Sequence, residues 1–214
     1  MARVIEKLLK PGASLTVAQD ANQSLYQRDR DPWKELDGIE IRHFRKQYRN
    51  TRRIAAYAAK FAGIEPLELM GVAGDKPKFI EAENLEEQIR LVAGEIASLV
   101  KSGVQASEIA TLYPSSRARE AVPERVMAEL EERGILSRWL SRDVSSKRFY
   151  DITTDSVTVS TVHSAKGMDF ANVFIVNFER FHKNDDKMRK VGYVGMTRAR
   201  ERLFLCSSRK IAEK

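Results

Sequence analysis

The chain is 214 residues long, enough for one sizeable α/β domain or one domain with a fragment of another, and its 43% hydrophobic and 8% aromatic content supports a core and excludes wholesale disorder. No apolar run could span a bilayer, Met1–Lys7 lacks a signal-peptide pattern, and the lone Cys206 excludes an intrachain disulfide, so a reducing, cytoplasmic setting without a membrane partner is expected. Thirty-seven Lys and Arg against 30 Asp and Glu give a net charge of +7, which favours polyanionic partners, while His43, His163 and His182 stand too far apart to suggest a metal site.

In chain order, Leu15-Thr16-Val17-Ala18 reads as a short buried strand after the Pro11-Gly12 break, and Asp31 to Gly38 as a loop and domain boundary. Ile39 to Phe44 alternates like a strand. A helix capped by Asn50 or Thr51 follows, with Ile54, Tyr57, Ala58 and Phe61 inward and Gly63 at its end. The clearest helix has Asn84 as cap, Glu87 completing a capping box, and Leu85, Ile89, Val92, Ile96 and Leu99 on one face. Ile109 to Tyr113 reads as a strand, Pro123 to Arg133 as a helix, and Ile135 to Leu140 as a strand. Three apolar strands come last, Val157 to Thr161, Val173 to Asn177 and Leu203 to Cys206, with a basic helix near Met188 to Arg200 between the final two. Alternating strands and helices predict a parallel sheet covered on both faces, with its binding site beyond the carboxyl ends of the strands.

The basic residues are clustered. Arg42, Arg45, Lys46, Arg49, Arg52, Arg53 and Lys60 lie in a stretch without an acid, and Lys187, Arg189, Lys190, Arg198, Arg200 and Arg202 form a second group opposed only by Glu201. If the fold joins them they form one phosphate-facing surface; otherwise they are a solvated exterior. Four segments carry unusual polar groups: Gln19 to Tyr26, Gln47-Tyr48-Arg49-Asn50-Thr51, Thr161 to Phe170, and Tyr193 to Arg200.

In this order the four segments resemble the later motifs of superfamily 1 helicases of the UvrD/Rep type. The resemblance implies a RecA-like (P-loop NTPase-like) parallel sheet with helices on both faces. Residues 1–37 would be the tail of a first RecA-like domain and residues 38–214 the second, without the large inserted subdomain. It implies an ATP-dependent DNA helicase or translocase that binds ATP with Mg2+ between the two domains and single-stranded DNA across them. Residue by residue, Arg49 and Arg198 would reach the γ-phosphate as arginine fingers and Gln23 would sense it. Asp169, in place of the usual glutamate, and Gly167 would lie at the nucleotide. Thr161, His163, Lys166 and Tyr26 would lie near DNA. Gly167 suits a tight turn.

The sequence has no Gly-Lys dipeptide and no Asp-Glu dipeptide, so neither a phosphate-cradling Walker A loop nor the Walker B acids can be assigned. The chain alone is therefore expected to hydrolyse no ATP and to depend on an N-terminal RecA-like domain in cis or in trans. The alternative reading is a catalytically silent nucleic-acid-binding or protein-interaction module that keeps the fold.

Overall fold

The computed structural model describes residues 5, 7–10, 12–18, 40–44, 46–65, 68–114, 121–140, 154–182 and 185–208. Among the described residues, twelve strands and α-helices follow one another: β1 (Lys46–Gln47), α1 (Arg52–Ala62), β2 (Glu68–Leu69), β3 (Lys78–Glu81), α2 (Leu85–Lys101), β4 (Ile109–Tyr113), α3 (Val122–Glu131), β5 (Ser137–Trp139), β6 (Val157–Thr161), β7 (Phe170–Ile175), α4 (Asp186–Met196) and β8 (Ala199–Ser207). Six strands make one sheet in the order β3-β8-β7-β4-β6-β5, every pairing parallel. β1 and β2 form a separate two-stranded parallel ribbon.

The central strands are apolar because both of their faces are covered, and their side chains alternate between two cores. Ala110, Leu112, Val173, Ile175, Leu203 and Leu205 face the core closed by Ile54 and Ala58 of α1 and Val191 and Val194 of α4. Ile109, Tyr113, Phe174, Val176, Phe204 and Cys206 face the core closed by Ile89, Val92 and Ile96 of α2 and Val126 and Leu130 of α3. Close approach of α1 and α4 requires Gly192, since a Cβ there would stand 2.8 Å from the Phe61 ring and 3.2 Å from Phe181.

The Asn84 cap on α2 forms as expected, accepting from the Glu87 amide at 3.0 Å, while Glu87 reaches back one residue past the cap and accepts from the Glu83 amide at 2.8 Å. Two expectations need correction. Leu15 to Ala18 forms no strand and its side chains are exposed, and Glu40 to Phe44 is likewise exposed and unpaired as strand, pairing being confined to Lys46–Gln47. Neither stretch has a neighbouring strand among the described residues, and strand propensity needs one. The basic helix also sits earlier than expected. It spans Asp186–Met196, which leaves Arg198 in a turn and Arg200 on β8.

Candidate functional site

Two segments that the sequence keeps far apart are joined at one point. Asn50, 3% exposed, donates its amide protons to the Thr197 carbonyl at 3.1 Å and the Ala199 carbonyl at 2.5 Å, and its Oδ1 accepts from the Gln47 side chain. The Thr51 amide adds a bond to the Arg200 carbonyl at 3.0 Å. The turn before α1 is thus stitched to the start of β8, bringing the first basic cluster against part of the second. Capping of α1 follows from the same packing: its Arg52 and Arg53 amides bond the Val72 and Ala73 carbonyls, so that helix start is closed by its own chain.

Around this junction lies an ion network. Asp169, just before β7, accepts from Arg200 Nη1 at 2.9 Å on Oδ1, and its Oδ2 lies 3.5 Å from Arg49 Nε. Arg200 Nη2 reaches Glu108 Oε2 at 2.6 Å, and that oxygen also accepts from the Ala171 amide at 3.1 Å. Arg200 therefore spans two carboxylates, one of them anchored to the start of β7. Burial works against its charge, but Asp169 and Glu108 more than offset this and raise its pKa. A cavity of about 510 Å³ opens beside the network, lined by Lys166, Gly167, Asp169, Arg200, Glu108 and others. Gly167 turns the chain there in the left-handed region at φ 92°. Tyr48, next to Arg49, leaves its ring exposed.

The ion network sits at the amino ends of β7 and β8, and the cavity beside it extends to Ser164 and Leu140 at the carboxyl ends of β6 and β5, whereas the sequence predicts the polar segments together beyond the carboxyl ends. The reason is parallel connectivity. Residues 162–169 leave the carboxyl end of β6 and must return to the opposite edge before β7 can begin in the same direction. Thr161 and His163 therefore lie at one edge and Asp169 at the other. Lys166 lies in between, exposed and lining the cavity.

Arg198 has its backbone at the amino edge but its side chain turned inward, with no exposed surface. Its Nε donates to the Val194 carbonyl at 3.0 Å, Nη1 to the Met168 carbonyl at 3.1 Å and Nη2 to Thr197 Oγ1 at 3.3 Å. A buried guanidinium needs this many acceptors to offset lost hydration. At the carboxyl edge Thr161 Oγ1 accepts from the Ser164 amide at 3.1 Å, and Trp139 Nε1 donates to the Tyr113 hydroxyl at 2.8 Å. His163 is half-buried there, and burial, helped by the nearby Lys187 charge, lowers its pKa. Gln23 and Tyr26 lie outside the described residues.

Sequence reasoning missed the roles of Asn50, Arg200 and Glu108. Asn50 was legible only as a cap and Arg200 only as one cation among several. A lone carboxylate before an apolar strand, such as Glu108, carries no signal at all.

A six-stranded parallel sheet covered by helices on both faces has the RecA-like α/β arrangement. Residues 156–206 match the family described as UvrD-like helicase C-terminal domain, and the likeness to UvrD/Rep-type helicases read in the sequence is thereby sustained. Similar proteins include the ATP-dependent DNA helicase Rep of Buchnera aphidicola subsp. Schizaphis graminum, 33% identical over 35% of this chain and 13% of that protein. The Rep helicase of Escherichia coli K12 is 30% identical over 36% of this chain and 13% of that protein. The matched region thus spans about an eighth of the length of these relatives. Among solved structures, the C-terminal domain of a possible DNA helicase from Lactobacillus plantarum WCFS1 shares the fold, with a TM-score of 0.54 and 20% identity over 75% of this chain and 86% of that one. No helix among the described residues is long and apolar enough to cross a membrane.

Proposed function

We propose that this chain is the C-terminal motor portion of an ATP-dependent DNA helicase or translocase of UvrD/Rep type. The observation that carries the reading is the Asn50 junction. It brings Arg49 to Arg200, and the pairing of β7 with β8 sets Asp169 beside them, so that three distant segments meet at one edge of the sheet beside an open cavity. In this reading the edge faces ATP with Mg2+ held by an N-terminal RecA-like domain, which supplies the Walker residues this sequence lacks. The residues present suit a phosphate chain at Arg49 and Lys166, both solvent-facing cations, while Arg200 is already neutralised by two acids. When bound, the nucleotide supplies the phosphoryl group whose charge Arg49 offsets, with Gln23 reporting its loss and Asp169 and Gly167 at the sugar side. Arg49 needs only to release Asp169; Arg198 must first exchange its bond to the Met168 carbonyl. The opposite edge, with Thr161 and His163, serves single-stranded DNA, together with Lys166 from between the edges and, on its motif alone, Tyr26.

A silent binding module is the second reading, and the inward Arg198 favours it, since a guanidinium consumed by the fold is what such a module retains. One experiment separates them. Joined to a P-loop domain of the Rep type, the chain should give ATP turnover stimulated by single-stranded DNA. Arg49→Ala should lower that turnover by roughly 10³-fold, the scale of a lost arginine finger, and leave oligo-dT affinity unchanged. Turnover indifferent to Arg49→Ala and to DNA would leave only the silent module.

A further inference from the structure

We propose that Arg200 is a positioning residue that governs how freely Arg49 can engage a phosphate chain, acting through Asp169. This rests on the reading of the amino edge as a phosphate-facing edge. The arrangement is a competition for one carboxylate. Asp169 presents Oδ1 to Arg200 at 2.9 Å and Oδ2 to Arg49 at the looser distance of 3.5 Å. Arg200 can hold its side firmly because its second nitrogen is on Glu108 at 2.6 Å, and Glu108 is fixed by the Ala171 amide. Arg49 has no comparable support: its side chain is 49% exposed and Asp169 is its ion-pair partner. Arg200 thus keeps Asp169 largely occupied, which leaves Arg49 weakly latched and ready to leave for an incoming anion.

Without Arg200 the free Asp169 carboxylate turns its full charge on Arg49 and competes directly with phosphate for it. The planar guanidinium is needed to contact both acids at once, and a lysine at this position would hold only one of them well. Removing the Asp169 charge should have the opposite effect from removing Arg200, because it unlatches Arg49 altogether. A residue that merely braces the fold would give no such reversal of sign.

The test is binding of inorganic tripolyphosphate, which carries no sugar or base, to the 214-residue chain at low salt, followed by calorimetry. Relative to the native chain, Arg200→Ala should weaken binding about fivefold, the scale of a partly exposed ion pair. Asp169→Asn should tighten it by about the same factor. The double variant Arg200→Ala/Asp169→Asn should return to native affinity or better, with Arg200→Lys falling between native and Arg200→Ala. Failure of Asp169→Asn to tighten binding, or of the double variant to rescue it, overturns the inference while leaving the phosphate-facing edge intact. If the native chain binds no tripolyphosphate, or Arg49→Ala binds it unchanged, both the inference and the reading of that edge fall together.

Discussion

The two edges of the sheet are built from different chemistry. At the amino edge, residues from β8, from the segments before β7 and β4 and from the turn before α1 meet in a network of full charges, Arg200, Asp169, Glu108 and Arg49. At the carboxyl edge, the groups around Thr161 are hydroxyls, an indole and a half-buried imidazole, most of them hydrogen-bonded within the domain, with Lys187 the charge that acts on the imidazole. Full charges exposed to solvent are exchangeable: each can trade a protein partner for a ligand at modest cost. Neutral hydrogen-bonded groups form a fixed surface, suited to a partner gripped by shape and backbone contact. The difference fits the proposed function, in which an exchangeable, switching edge faces nucleotide and a holding edge faces DNA, with residues 162–169 running between them.

Changes at the amino edge break this comparison most severely. Arg198→Ala should cost roughly 3–5 kcal/mol, since it opens a cavity and strands the Val194 and Met168 carbonyls; urea denaturation of the chain measures it. A near-neutral result would mean that the guanidinium does not sit in the fold as described. Asn50→Ala comes next, at about 2–3 kcal/mol for two buried carbonyls left unpaired. It should also release the turn carrying Arg49, seen as faster amide exchange at Thr51. Stability equal to native would show that the two segments are not stitched there.

Much of this architecture was legible beforehand and part was not. The Asn84 cap, the 3.6-residue stripe of α2 and the all-apolar β4 announced themselves, because local hydrogen bonding and two-sided burial write periodic patterns. Leu15 to Ala18 misled because a β-rich run reads as a strand whether or not a neighbour exists to pair with it. Arg198 and Arg200 stand two positions apart in one motif, yet one is wholly buried and the other rims a cavity. That fate depends on where α4 ends and β8 begins, and helix ends are weakly encoded. Nor does sequence order tell which edge a residue occupies, since that follows from strand direction.

A milder change sharpens the picture. Arg200→Ala should lower stability by no more than about 1 kcal/mol, because its ion pairs are partly exposed and screened by salt. A thermal melt in low and high salt tests this, with the difference between variant and native shrinking at high salt. The smallest effect belongs to His163. Its folded pKa lies below the ordinary 6.5, so the unfolded chain binds the extra proton more readily. Stability contributed by the neutral ring is therefore complete above pH 6.5 and lost as pH falls through that value toward the lowered one. Melting temperature should decline slightly over that window, and His163→Gln should flatten the decline. An unchanged slope in the variant would assign it to other groups.

The separation of the edges is tested most directly by mapping two ligands on one protein. Chemical-shift perturbation of the native chain would be recorded with tripolyphosphate and, separately, with oligo-dT. Tripolyphosphate should move the signals of Arg49, Asp169 and Arg200 while Thr161 and His163 stay still, and oligo-dT should move Thr161 and His163 while Arg49 and Arg200 stay still. Perturbation of the same residues by both ligands would contradict a domain with separate switching and holding edges and leave a single undivided basic surface.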